Sequence, residues 1–133
     1  MSDKFLKFID SYGRIKKFPK TNEALQGLRR RSNKAVYPEI VETLQRVQNR
    51  FSEDDVLVSA ENIALELNIS IGTTIGTFMH MCKRGIVAPA DKTDLKNPRY
   101  AKIIESGGSI YKLIKGITER DFCYEDEKVY EKV

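Results

Sequence analysis

Residues 59–87 read SAENIALELNISIGTTIGTFMHMCKRGIV, and their order decides the fold. The first N–H groups of any helix lack intrahelical partners, and the Ser59 hydroxyl is placed to cap a first helix. Ile63, Ala64 and Leu67 fall at i, i+1 and i+4, which puts them on one buried face. Asn68 stands where the chain must turn sharply, and Asn tolerates the left-handed conformation better than most residues. Ile69 then plugs the angle between two helices, and Ser70 caps the second. Gly85 ends that second helix behind Lys83 and Arg84, whose charges suit the negative end of the helix dipole.

This order resembles the helix-turn-helix of winged-helix proteins. There a small residue, an apolar pair and a capping Ser recur in sequence, and a Lys-Arg-Gly-apolar run such as Lys83–Ile86 follows. The resemblance implies nucleic-acid binding, with the second helix entering the major groove by its N-terminal end. Mapped on this chain, its outward positions are Ile71, Gly72, Thr73, Ile75, Gly76 and His80, and the residues expected to contact nucleic acid are Ser70, Ile71, Thr73 and Thr74. None of these side chains can make the bidentate contacts by which Arg, Lys, Asn and Gln read base edges. Weak sequence discrimination is therefore expected, with affinity dominated by the backbone.

A second reading comes from the same helix. Thr74, Thr77, Phe78 and Met81 hold the face expected to meet the core, while Ile71, Ile75, Phe78, Met79 and Cys82 make another apolar face. Apolar character on both sides suggests burial on both sides. The outer face would then be covered by residues 1–35, by the tail or by a second copy, and Ile71, Ile75 and Met79 would meet a protein partner or a homodimer mate. Structured RNA is a third candidate ligand, since winged helices also occur in ribosome-associated proteins.

Upstream, residues 38–51 carry Ile40, Leu44, Val47 and Phe51 at helical spacing, with Pro38 suited to the first helical position. Glu39 and Glu42 lie toward the positive end of that helix, and Arg46 and Arg50 toward the negative end. Val56–Val58 reads as a short strand. Downstream, Ile86–Ala90 and Ser109–Lys115 read as antiparallel partners that would form the wing. The long connection holds helix signals from Asn97 and Pro98 to Gly107, with a third strand at 99–104 as the alternative. Before residue 36, Phe5, Leu6, Phe8, Ile9 and Tyr12 predict a helix over residues 3–12, and a second helix is expected from Thr21 or Asn22 into Arg29–Arg31. Pro19 makes the junction between them non-helical. After residue 117, Thr118 and Asp121 have capping-box spacing, and Phe122, Val129, Tyr130 and Val133 could line one helical face.

Charge divides along the chain. Residues 1–35 hold ten Lys/Arg against three Asp/Glu, a balance of +7; residues 36–116 hold ten of each; residues 117–133 hold three against six, a balance of −3. Such segregation points a basic surface at an acidic partner. Phosphate contacts are expected from Lys16, Lys17, Lys20, Arg29, Arg30, Arg31 and Lys34 in the arm, and from Lys92, Lys96, Arg99, Lys102 and Lys112 in the wing region. The scattered Tyr12, Tyr37, Tyr100 and Tyr111 argue against a stacking platform for single strands.

Cys82 and Cys123 are too few for a disulfide framework, and His80 is the sole histidine, so no metal site of several His and Cys is expected. Nothing resembles a phosphate-binding glycine loop, a nucleophile elbow or a Cys/His pair at diagnostic spacing; no enzyme and no cofactor is expected. No apolar run approaches the roughly 20 residues of a membrane span, and the start MSDKFLKFID has no signal-peptide core. A cytoplasmic or nucleoid-associated regulator is the expectation. The organisation expected is α+β and mainly helical: a basic helical extension at 1–35, a winged helix-turn-helix domain at 36–116 and an acidic tail at 117–133.

Overall fold

The structure, a computed structural model, describes residues 5–12, 14–19, 31–50, 56–91, 93–94 and 109–125. In chain order these form strands β1 (Phe5–Ile9) and β2 (Ile15–Pro19), helix α1 (Asn33–Arg50), strand β3 (Leu57–Ser59), helices α2 (Ala60–Leu67) and α3 (Ile71–Lys83), strands β4 (Val87–Pro89) and β5 (Ile110–Leu113), and a 3-10 turn at Glu119–Phe122. The class is α+β and mainly helical, with three helices on a small antiparallel sheet of order β3-β5-β4 and a separate β1-β2 hairpin.

The stretch at 59–87 folds by the local rules read from it. Ser59 is the N-cap of α2 and accepts the Asn62 N–H; Asn68 is left-handed at φ 56°, ψ 49°, and its N–H returns to the Ala64 carbonyl. Ile69 is fully buried between the helices. Ser70 caps α3 by accepting the Thr73 N–H, and Gly85 leaves the helix end at φ +74°, a conformation that costs a side-chain-bearing residue energy. The buried face of α3 is Thr74, Thr77, Phe78 and Met81. Its two threonines are tolerated in the core because each hydroxyl donates one turn back, Thr74 to the Ser70 carbonyl at 3.0 Å and Thr77 to that of Thr73 at 2.8 Å.

One apolar core joins these elements. Val36, Tyr37, Ile40, Val41 and Leu44 of α1 meet Ile63, Ile69, Phe78 and Met81, joined by Ile86 just before β4 and by Val87, Tyr111 and Leu113 from the sheet. Phe78 stacks on Tyr111 with centroids 4.7 Å apart. β5 is the central strand; Ser59 pairs with Ile110 on one side and Val87 with Leu113 on the other.

Four sequence expectations need correction. The helix expected at residues 3–12, and with it the helical character of the N-terminal extension, is replaced by a hairpin in which Phe5 pairs with Pro19 and Ile9 with Ile15. Aromatic and β-branched residues interrupted by one Lys suit a strand as well as a helix turn, and the turn decides between them. Asp10 donates its N–H to the Arg14 carbonyl, while its carboxylate accepts the N–H groups of Tyr12 and Arg14 at 3.0 and 2.9 Å. The long helix opens at Asn33 rather than Pro38, because the Ser32 hydroxyl takes the Ala35 N–H. Pro38 sits in the second turn, where Lys34, the residue whose carbonyl it cannot serve, is exposed. A boundary between residues 35 and 36 therefore cuts through α1. In the described part of the tail a single 3-10 turn, Glu119–Phe122, stands where a helix is expected to open, and Cys123 after it is extended. The expected helix from residue 21 or 22 lies outside the described residues up to residue 30, and Arg31 is non-helical; the expected helix at 98–107, Phe51, and residues 126–133 lie outside the described residues.

No helix among the described residues is long and apolar enough to cross a membrane, and no group of three or more His, Cys, Asp or Glu there could hold a metal ion.

Candidate nucleic-acid interface at the start of helix α3

α3 presents two different outer surfaces along its length. At its N-terminal end, Ser70, Gly72 and Thr73 line a shallow depression closed on the other side by Arg31 and Ser32, which precede α1. Ser70 organises this end: its hydroxyl accepts the Thr73 N–H at 3.2 Å and donates to Thr73 Oγ1 at 2.8 Å, while its carbonyl accepts from Thr74. The N–H groups of Ile71 and Gly72, in the first turn, have no partner within the helix. Gly72 is exposed, and a Cβ added there would meet nothing within 4 Å. Backbone donors, hydroxyls, a guanidinium and the positive end of a helix dipole thus share one open surface, a combination that suits a phosphate.

Further along, the outer face is covered in part. A Cβ on Gly76 would stand 3.0 Å from Asn33 Nδ2, so the first residue of α1 lies against the helix there. Ile75 and Cys82 pack on the rim of the core, where burial pushes the Cys82 thiol up from its ordinary pKa. His80 carries the tail: its ring stacks on Tyr124 with centroids 4.3 Å apart, and its Nε2 is 2.9 Å from the Tyr124 carbonyl. A carbonyl only accepts, so Nε2 is the protonated nitrogen. Met79, 57 % exposed, is the large apolar side chain left open on this helix.

The tail is held at several points. Gln48 of α1 donates to the Lys115 carbonyl and accepts from the Ile117 N–H, both at 2.9 Å. The buried Asp121 carboxylate takes both Lys115 Nζ, at 2.7–2.8 Å, and the Thr118 N–H. Burial pushes the Asp121 pKa up, but the Lys115 ammonium and the Thr118 donors outweigh it and hold the carboxyl below its ordinary range. Arg84, at the end of α3, donates from one nitrogen to the Tyr37 hydroxyl and to the Cys123 carbonyl. Burial raises the Tyr37 pKa against the opposing pull of Arg84.

The residues expected at the interface separate accordingly. Ser70, Ile71, Gly72 and Thr73 gather at the open end of α3. Thr74, expected among the contacts, is fully buried and belongs to the core. Arg31 reaches the depression but pairs with Glu39; Lys34 pairs with Glu125 at 3.2 Å, and Lys112 with Asp94 at 3.1 Å. Lys112 holds the Asp94 carboxyl below its ordinary pKa. Lys16 and Lys17 lie in β2. Lys20, Arg29, Arg30, Lys92, Lys96, Arg99 and Lys102 lie outside the described residues. Of the protein-interaction set, Met79 is open, Ile71 is half-buried and Ile75 leans on the core.

Two features escape the sequence reading. Ser32 and Asn33 bring α1 against the start and middle of α3, and the hairpin turn docks on the helices. Ser11 gives its N–H and hydroxyl to the two Glu66 oxygens at 2.7 and 2.5 Å, Arg46 donates to Ser11 Oγ, and the Tyr12 ring lies between the Arg14 and Arg46 guanidinium groups, 4.8 Å from each. Ser11 is 55 residues from Glu66 and 35 from Arg46 along the chain, separations at which no local pattern signals contact.

Comparison with protein-family models, with curated proteins and with solved structures finds no match.

Proposed function

We propose that this chain is a winged helix-turn-helix protein that binds duplex DNA by the first turn of α3, as a small regulator with backbone-dominated, weakly sequence-selective affinity. One observation carries the reading. The N-terminal turn of α3 is open and lined by anion-accepting groups, whereas further along Asn33 lies against Gly76 and Tyr124 covers His80, with Met79 left exposed. A helix that enters a groove end-on needs that end free and tolerates cover behind it. The +7 balance of residues 1–35 supplies the long-range attraction. The antiparallel β4–β5 pair after α3, with Lys112 on β5, is compatible with the reading.

In-chain pairing of Arg31 and Lys34 does not oppose this role. Exposed ion pairs are worth about 0–1 kcal/mol, so a phosphate displaces the carboxylate at little cost. With Ser70, Ile71, Gly72 and Thr73 at the helix start and no Arg, Lys, Asn or Gln among them, contacts fix position rather than read bases.

The test is a salt titration of binding to random duplex DNA and to duplex RNA of equal length. The expected outcome is a linear fall of log K with log salt, steeper by about 0.9 for each phosphate engaged, with DNA preferred and little difference among sequences. A flat dependence, or no binding at low salt, removes the reading. The 57 % exposure of Met79 supports one rival, an adaptor that docks a protein on this face. Met79→Glu separates the two: loss of a protein partner or of self-association with DNA affinity retained favours the adaptor.

A further inference from the structure

The acidic tail continues from the cover over His80 toward the depression at the start of α3, and the cations there meet carboxylates of the same chain. Tyr124 is the pivot. Its ring stacks on His80 and stands edge-on to Tyr37, centroids 5.3 Å apart at 87°. Immediately before it, the Cys123 carbonyl accepts from Arg84; immediately after it, Glu125 reaches Lys34 Nζ at 3.2 Å. Lys34 is the second residue of α1, two positions from Ser32 and three from Arg31, which line the depression. The chain beyond Glu125 adds Asp126, Glu127 and Glu131 against Lys128 and Lys132.

Fixation is uneven along this strap. Residues 115–122 are tied to α1 and to each other through Gln48 and Asp121, and Ile117 and Phe122 pack on the core. Residues 123–125 are held by two hydrogen bonds to carbonyls, by the Tyr124 ring on His80, Tyr37 and the edge of the core, and by contacts of Glu125 that include an ion pair with Lys34, its side chains 68 % and 51 % exposed. The Glu125–Lys34 pair, being exposed, can therefore open without disturbing the core.

We infer that residues 123–125 form an autoinhibitory strap, which places Glu125 on Lys34 in competition with a DNA phosphate and is displaced when DNA binds. This rests on the DNA-binding reading, which the same experiment tests separately. A nucleic acid at the first turn of α3 runs its phosphates past Arg31 and Lys34, and so must exchange carboxylate for phosphate at Lys34. The contact costs affinity in proportion to the strength of that pair and makes binding respond to anything that captures the tail.

The experiment measures affinity for a random 25-base-pair duplex at low salt, in the full chain and in two full-length variants, with urea unfolding run in parallel. Glu125→Gln removes the competing carboxylate; Tyr124→Ala releases the strap with the net charge unchanged. Each is expected to bind up to about five-fold more tightly, the equivalent of an exposed ion pair. The gain of Glu125→Gln is expected to vanish in a Lys34→Gln background. If that gain persists there, it reflects net charge alone and the strap is overturned. Unchanged or weaker binding in both variants, with DNA still bound by the parent, also overturns the strap and leaves the DNA-binding reading standing; absence of binding in all chains at low salt overturns both. Should Tyr124→Ala unfold, Glu125→Gln with its Lys34→Gln partner decides alone.

Discussion

Asn68 bears the bend on which the two central helices depend, at φ 56° and ψ 49°. A β-branched residue there meets its own carbonyl, at a cost of about 1–2 kcal/mol. Asn68→Val is expected to lower the unfolding free energy read from urea titration by that amount and Asn68→Gly to leave it nearly unchanged; equal loss in both would show that the Asn side chain, not the backbone conformation, matters. Asp121 makes a pH prediction at the same scale. Its folded pKa lies below its ordinary value because Lys115 and the Thr118 donors outweigh burial. Its stabilisation is therefore fully present above the unfolded carboxylate pKa, about 3.9, and is lost as pH falls through the lower folded value. Asp121→Asn is expected to destabilise the chain at pH 7 and to converge with the parent as pH falls below the lowered folded pKa of Asp121. Both positions stood out in the sequence, Asn68 by its place before Ile69 and Ser70, Asp121 by its spacing from Thr118. The identity of the cation on Asp121 did not, because several Lys and Arg lie within reach along the chain.

At the scale of the element, α3 separates stability from binding. Its first turn has no acidic residue, and Gly72 has open space where a Cβ would stand. Gly72→Glu adds helix propensity and a carboxylate at the positive end of the dipole, and is expected to stabilise the fold by about 0.5–1 kcal/mol. The same carboxylate would enter the depression beside Arg31 and is expected to weaken DNA binding at least ten-fold. Urea unfolding and duplex titration read the two effects independently, and a variant both stabler and equally tight would move the interface away from this turn. The inner face of α3 was legible from spacing alone, since Thr74, Thr77, Phe78 and Met81 follow the period of a helix. The first strand was misread for a comparable reason. Phe5, Leu6, Phe8 and Ile9 satisfy either period over so short a span, and the deciding hydrogen bonds belong to the Asp10 turn.

For the whole molecule, the attachment of the hairpin is the open question of cooperativity. Glu66 accepts two hydrogen bonds from Ser11, and its Oε2 lies 3.8 Å from Arg46. Burial pushes the Asp10 pKa up, yet Arg14 and the N–H groups of the turn hold it below its ordinary value. Glu66→Gln keeps the shape and removes the charge, with an expected loss of about 1–2 kcal/mol from the weakened charge-assisted bonds. Amide exchange should speed up in residues 5–19 while α1, β5 and the buried part of α3 keep their protection. Uniform acceleration throughout would show that hairpin and helices unfold as one unit.

Caps, turns and periodicity determined the central helices, the sharp bend, the strand after Gly85 and the segregation of charge, because each acts between residues within about four positions of one another. Only the tertiary structure decided that the N-terminal residues pair as strands, that α1 opens against α3 at Asn33 and Gly76, and that the tail covers His80 while leaving Ser70–Thr73 open. Those outcomes depend on contacts such as Ser11–Glu66 and Lys34–Glu125, 55 and 91 residues apart. At such distances the closure entropy of the chain is offset by the packing of the whole core, not by any local preference.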